Sequence, residues 1–182
     1  MGVPYTPCPE DTPFRQRAEV RQDSEIVVRA AVLDDRESKR FFGVNLAGRG
    51  IQPVWLEISN RDRQPYRLRL ASLDPNYYPP LEAALVNHFA IGRRLVAFGL
   101  LAMVCFPLLI LLPFKVIGAR IANRRMDAFF QEHGLGWGLI RPGITIAGFV
   151  FTALDEGTKQ FYVKLLGLAP PKSLPSPFLC PV

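Results

Sequence analysis

The sequence is short of the residues that carry most enzyme chemistry. It holds two histidines and three cysteines among 182 residues. His88 and His133 each fall on an expected helix, and neither has a second ligand four residues on to make a metal site. Asp34-Asp35, Asp127 and Asp155-Glu156 fall in turns or on a solvated helix face, with no carboxylate set against another for acid–base work. Gly43, Gly48 and Gly50 lack the dinucleotide-binding spacing, and no glycine-rich phosphate loop follows a strand. Ser24, Ser38, Ser59 and Ser72 lack the context of a nucleophile elbow. These absences point away from catalysis, and no cofactor or metal is expected.

Cys8, Cys105 and Cys180 are odd in number and irregular in spacing, which excludes a disulfide framework. Cys105 lies in an apolar run and reads as a small hydrophobe. Cys8 and Cys180 lie in proline-rich ends, and a bond between them stays open. Met1 to Ser24 holds no apolar segment of signal-peptide length. Either the N-terminal part stays in the cytoplasm, or the true start lies upstream.

What the chain does have is Leu95 to Phe114, LVAFGLLAMVCFPLLILLPF, with no charge inside it. A run of about 20 apolar residues is long enough to cross a bilayer core as one helix. The net charge is +6. Arg93, Arg94, Lys115, Arg120, Arg124 and Arg125 flank the run, so the basic balance reads as contact with anionic headgroups rather than with nucleic acid. Tyr77 and Tyr78 either join these residues at headgroup level or pack beneath the β-domain. Together these eight residues form the expected membrane or lipid interface.

Around the run, residues 1–24 are rich in proline and charge and read as an extended arm. Ile26, Val28, Ala30 and Val32 alternate with Val27, Arg29 and Ala31, which is strand periodicity. Asp34 to Arg40 reads as a polar connection, either a solvated loop, the favoured reading, or one helical turn. Ile51 to Asn60 and Tyr66 to Ala71 alternate around a polar turn and read as a β-hairpin. Pro80 can open a helix leading to the run. Val116 to His133 is an amphipathic helix with Ala119, Ala122, Met126, Phe129 and Phe130 on one stripe; that stripe either lies in the lipid interface, which its place beside a membrane segment favours, or packs its phenylalanines on a protein core. Ile144 to Thr152 and Gln160 to Leu166 read as a second strand pair, followed by a proline-rich tail.

A two-stranded hairpin is barely stable alone. The C-terminal pair is therefore expected to join the N-terminal strands in one small sandwich. The expected fold is mainly β with membrane helices: a small Ig-like β-sandwich interrupted by a membrane-inserted helix or helical hairpin and an amphipathic helix. Its parts are the arm (1–24), the first part of the sandwich (25–75), the insert (81–133, with the apolar run at 95–114), the second part (136–168) and the tail (169–182). One sandwich requires both halves on one side of the membrane. Pro107 and Pro113 would let the run turn back, at the cost of unpaired backbone groups in lipid. A kinked single crossing avoids that cost but leaves the C-terminal strands in need of a partner protein.

FGVNLAGRGIQPVWLEISNR (Phe42 to Arg61), SLDPNYYPPLEAA (Ser72 to Ala84) and RRMDAFFQEHGLGWGLIRPGITIAGFVFTALDEGTK (Arg124 to Lys159) resemble a module of uncharacterised bacterial envelope proteins. In some of these the module accompanies a domain named after the C-terminus of LssY, a protein of a secretion gene cluster. The resemblance covers residues from about 13 to 168, and this chain ends where that second domain would begin. It implies a bacterial membrane and supplies no catalytic residues.

The expected function is that of a non-enzymatic, membrane-anchored accessory or structural subunit. It would bind other membrane or envelope proteins through its β-sandwich and tails. The alternative is a lipid- or small-ligand-handling protein that uses the basic, aromatic flank of the membrane segment. The expected partners are membrane lipids and envelope proteins, with no nucleic acid. The β-domain is cytoplasmic if the basic flanks decide, and periplasmic if the true start lies upstream.

Overall fold

Alternating apolar residues dictate strands, and the strands here come from both sides of the apolar run. The structure is a computed structural model that describes residues 5–10, 12–69, 74, 76–89, 112–136, 138–154, 158–167, 172–173 and 178–181. In chain order, a 3-10 turn at Pro13–Arg17 precedes β1 (Glu19–Asp23), β2 (Ile26–Val32), α1 (Asp35–Phe42) and a second 3-10 turn at Ala47–Arg49. Then come β3 (Ile51–Asn60), β4 (Tyr66–Leu68), α2 (Pro80–Val86), α3 (Leu112–His133), β5 (Leu139–Ile140) and β6 (Thr145–Ala153). The chain closes with β7 (Thr158–Phe161), β8 (Lys164–Gly167), β9 (Lys172–Ser173) and β10 (Phe178–Pro181).

The central sheet runs β1-β2-β3-β6, every pair antiparallel. Its register sorts side chains onto two apolar faces. Val28 lies opposite Ile58, Ala30 opposite Leu56, and Val54 opposite Val150; all of these are buried on one face. That face packs against a second sheet, β5-β4-β8-β9, through Tyr66, Leu68, Ile140, Leu165 and the neighbouring Val163. On the other face, Ala31, Trp55 and Phe149 form a row, with Ile51 and Phe151 beside it. The three described helices cover this row. Phe14, Phe42, Phe130 and Phe151 are fully buried there. Phe42 lies 4.8 Å from Phe130, 5.0 Å from Phe149 and 5.4 Å from Phe151 between ring centroids. Full burial of a phenylalanine is worth about 1.5–3 kcal/mol. Four of them rival the whole stability of a small domain, roughly 5–15 kcal/mol.

The expected mainly-β chain of two facing sheets is therefore present, together with a helical layer on the outer face. Several finer expectations need correction. The described part of the arm packs into the fold. Phe14 is fully buried, β1 pairs with β2, and the Cys8 N–H donates to the carbonyls of Arg40 and Phe41 at the end of α1. The segment from Asp34 is a helix rather than a solvated loop. Asp34 accepts from the Glu37 N–H while the Glu37 carboxylate accepts from the Asp34 N–H, a capping box. Gly43 ends α1 at φ +69°, with its N–H on the Lys39 carbonyl, a position that suits glycine alone.

The expected β3–β4 hairpin does not form. Asn60 makes a corner instead, its side-chain amide donating to the carbonyls of Gln64 (2.8 Å) and Ile140 (3.0 Å). The chain thereby steps from the central sheet to the second one, where β4 pairs with β5 and β8. Nor does β6 pair with the strand that follows it: β6 pairs with β3, β7 with β10, and β8 with β4 and β9. The proline-rich tail supplies β9 and β10. The stripe of α3 turns to protein rather than to lipid, with Ala119, Ala122, Met126 and Phe130 all buried. Among the described residues, no helix is long and apolar enough to cross a membrane. Residues 95–111 of the apolar run lie outside the described residues.

Candidate functional site

In the chain α2 precedes the apolar run, and α3 begins within it. Pro80 sits in the first turn of α2, where its missing N–H costs no bond. The side chain of Pro80 rests against Gly134 at the far end of α3, so the two helices run antiparallel and pack closely. Past α2, His88 Nε2 lies 2.6 Å from Asp127 Oδ1. The Phe89 N–H donates to Asn123 Oδ1 at 3.0 Å, and Asn123 Nδ2 reaches the Phe89 carbonyl at 3.5 Å. Asn123 is buried, so these bonds are shielded from water. This polar clamp holds the chain leaving for the apolar run against the helix that returns from it.

α3 is 22 residues long, about 33 Å at 1.5 Å per residue. It begins at Leu112, inside the apolar run, and Lys115 lies in its first turn. Its buried stripe faces the phenylalanine layer. The opposite face carries Ile117, Arg120, Ile121 and Arg124, spaced to share one side of a helix, and all are exposed. Arg125 is exposed beside them. On α2, Leu81, Leu85 and Val86 are also exposed.

The eight expected interface residues are thus dispersed. Arg120, Arg124 and Arg125 stand together on the outer side of α3. Arg93 and Arg94 lie outside the described residues. Tyr77 is half-buried against the inter-sheet core, and burial raises its phenol pKa. Tyr78 is half-buried against the helical layer, its N–H donating to the Phe151 carbonyl at 2.8 Å. The two tyrosines therefore pack on opposite faces of the fold.

The sequence reading missed the clamp. His88, Asn123 and Asp127 were legible as polar residues on helices flanking the run, but one-dimensional spacing does not bring residues so far apart together. Among the described residues, no group of three or more His, Cys, Asp or Glu side chains is arranged to hold a metal ion. No family model matches the chain, and neither a curated protein nor a solved structure matches it.

Proposed function

We propose that this chain is a non-catalytic, membrane-anchored subunit that holds partner proteins at a bacterial membrane. The observation that carries the reading is that the last residues of the uncharged run, Leu112 to Phe114, already belong to α3, whose later turns are packed in the protein core. At its C-terminal end the run therefore joins the folded part through a helix. Strands from before and after the run pair directly, β3 with β6 and β4 with β8. That pairing supports a run that leaves and returns on one side of a bilayer over a single crossing. The clamp at His88, Phe89, Asn123 and Asp127 supports the same reading, because it ties the outgoing and returning chain together.

The exposed face of α3 suits the headgroup level. Ile117 and Ile121 are of a kind to enter the acyl boundary, and Arg120, Arg124 and Arg125 to meet phosphates. Arg93, Arg94 and Lys115 would extend that basic belt by their place in the sequence. The partner surface would be the sheets and the chain ends. The bacterial envelope setting rests on the sequence resemblance.

The test is native purification of the full chain in mild detergent after cross-linking in cells. A stoichiometric protein partner is the expected result. A co-purifying lipid with no protein partner would favour the second reading, in which the exposed basic and apolar face of α3 handles lipid. Release of the chain from membranes by alkaline carbonate, without detergent, would overturn both.

A further inference from the structure

Both α2 and α3 turn large apolar side chains to solvent. On α2, Ala83 and Ala84 are buried in the helical layer, while Leu81, Leu85 and Val86 lie on the opposite side. On α3, Ile117 and Ile121 point away from the buried stripe. Each of these five is at least 40% exposed. A group of large aliphatic side chains on the outer side of two adjacent helices calls for a cover.

Arg120, Arg124 and Arg125 stand at the same surface. On a helix of 3.6 residues per turn, Arg120 and Arg125 fall to either side of the two isoleucines. None of the three arginines forms an ion pair among the described residues. Glu82 and Glu132, the exposed carboxylates of α2 and α3, belong to the other end, where Pro80 meets Gly134. The contacts of Phe89 with Asn123 and of Pro80 with Gly134 set the register of the two antiparallel helices. By that register Leu85 stands roughly 20 Å along α3 from Ile117, at 1.5 Å per residue. The interfacial zone that takes an apolar helix face is about 5–10 Å deep. Helices standing upright place only one of these two sites in that zone. Helices lying flat place both.

We infer that α2 and α3 lie flat together on a bilayer containing anionic lipid, with Leu85, Ile117 and Ile121 at the acyl boundary. Arg120, Arg124 and Arg125 meet the lipid phosphates. The inference rests on the membrane reading above and extends it: α2 becomes a second lipid-facing element, anionic lipid becomes a requirement, and the sheets stack away from the bilayer. Charge complementarity favours this occupant, since the arginines have no partner ion in the protein and the headgroups supply one. Continuity favours it too, because the first residues of α3 belong to the uncharged run. The rival face is the outside of the second sheet, where Arg67 lies in register between Leu139 and Leu166, all three exposed. That sheet packs on the side of the central sheet opposite to the helices, so one flat bilayer cannot take both faces. It also offers fewer large aliphatic side chains.

The test places an environment-sensitive fluorophore on single cysteines substituted for Leu85, Ile121 or Leu166, in a background with Cys8, Cys105 and Cys180 replaced. The full chain is reconstituted into vesicles of phosphatidylcholine alone, or of phosphatidylcholine and phosphatidylglycerol in equal parts. In the mixed vesicles the probes at 85 and 121 should shift to shorter wavelength and be quenched by nitroxide-bearing lipid, while the probe at 166 keeps its aqueous emission. Three arginines at an anionic surface favour docking by roughly a hundredfold. Quenching at 85 and 121 should therefore fall several-fold in phosphatidylcholine alone. Arg120→Gln, Arg124→Gln and Arg125→Gln combined should reproduce that fall in the mixed vesicles. Aqueous emission at 85 with immersion at 121 would overturn the flat placement, and quenching at 166 would assign the bilayer to the rival face. Equal immersion in the two vesicle types, or no effect of the triple variant, would overturn the anionic requirement. If both helix probes stay in water while the chain remains with the vesicles in alkaline carbonate, this inference alone fails. Release of the chain by carbonate overturns the membrane reading beneath it.

Discussion

Replacing Gly148 with alanine probes a close approach of backbone to backbone. Gly148 lies in β6 opposite Leu56 of β3. The chain leaving α3 crosses over it, with the Leu135 N–H donating to the Phe149 carbonyl at 2.9 Å. A Cβ on residue 148 would stand 2.6 Å from Leu135 Cα and 2.7 Å from its nitrogen. Carbon atoms rest at about 3.5–4.0 Å, so the crossing chain must move by about 1 Å. The obstacle is backbone, and no side-chain rotation relieves it. Overpacking of this kind costs about 1–3 kcal/mol. The lost Leu135–Phe149 bond adds about 0.5–1.5 kcal/mol. Alanine recovers about 0.4–1 kcal/mol by restricting the unfolded chain. The net expectation is a loss of about 1–3 kcal/mol, with the sign set by the clash. Gly136 is the control, because a Cβ there meets nothing within 4 Å. Gly136→Ala should stay within about 0.5 kcal/mol of the parent. Urea unfolding in micelles, followed by tryptophan fluorescence, reads both variants. An unfolding midpoint for Gly148→Ala at or above the parent's would refute the reasoning.

Tyr5 carries a buried hydroxyl without a hydrogen-bond partner, so Tyr5→Phe should stabilise by about 1 kcal/mol in chemical denaturation. Burial also raises the Tyr5 pKa above its ordinary value near 10. The neutral phenol is the form the fold prefers; stability is complete below pH 10 and falls above it, as the unfolded chain ionises first. Tyr5→Phe should remove part of that alkaline loss, and parallel pH–stability curves for the two proteins would count against this. His88→Ala should loosen the clamp and speed proteolysis between α2 and α3 several-fold, while the cooperative unfolding of the sheets persists; an unchanged cleavage rate would dismiss the clamp. Single cysteines at Arg67 and Lys164, in a background with Cys8, Cys105 and Cys180 replaced, should react with an impermeant thiol reagent from the same side of sealed vesicles. Labelling from opposite sides would contradict the pairing of β4 with β8.

The faces of the central strands were legible because a period of two is a local property. Ile26, Val28, Ala30 and Val32 share one face, Val54, Leu56 and Ile58 share one, and Val150 opposes Phe149 and Phe151 as their spacing implies. The helical stripe of Ala119, Ala122, Met126 and Phe130 was equally plain. What covers each face was not, since an apolar stripe suits lipid and protein alike. Its covering depends on Phe14, Phe41 and Phe42, isolated aromatics in polar or proline-rich stretches that show no period of their own. The pairing of strands failed for a related reason. Short polar turns favour hairpins, yet Asn60 spends its amide on Ile140, far along the chain, and makes a corner. The capping box at Asp34 and Glu37 has a local signature, an aspartate followed three residues on by a glutamate, inside a segment whose density of charge reads as a solvated connection.

The pairing of β3 with β6 sets an order of events during synthesis. Ile51 and Ala153 are partners, and the whole apolar run is translated between them. At about 5–20 residues per second, β3 waits on the order of ten seconds for its neighbour. In that interval its β6-facing edge lacks its native partner, while the greasiest segment of the chain is already leaving the ribosome. The apolar run is thus fully translated before the central sheet can close, and the nascent N-terminal half needs shielding until β6 arrives. Contacts between such distant segments also make spontaneous refolding slow. A chain denatured and returned to buffer without lipid would face both hazards together, an open strand edge and an unhoused apolar run.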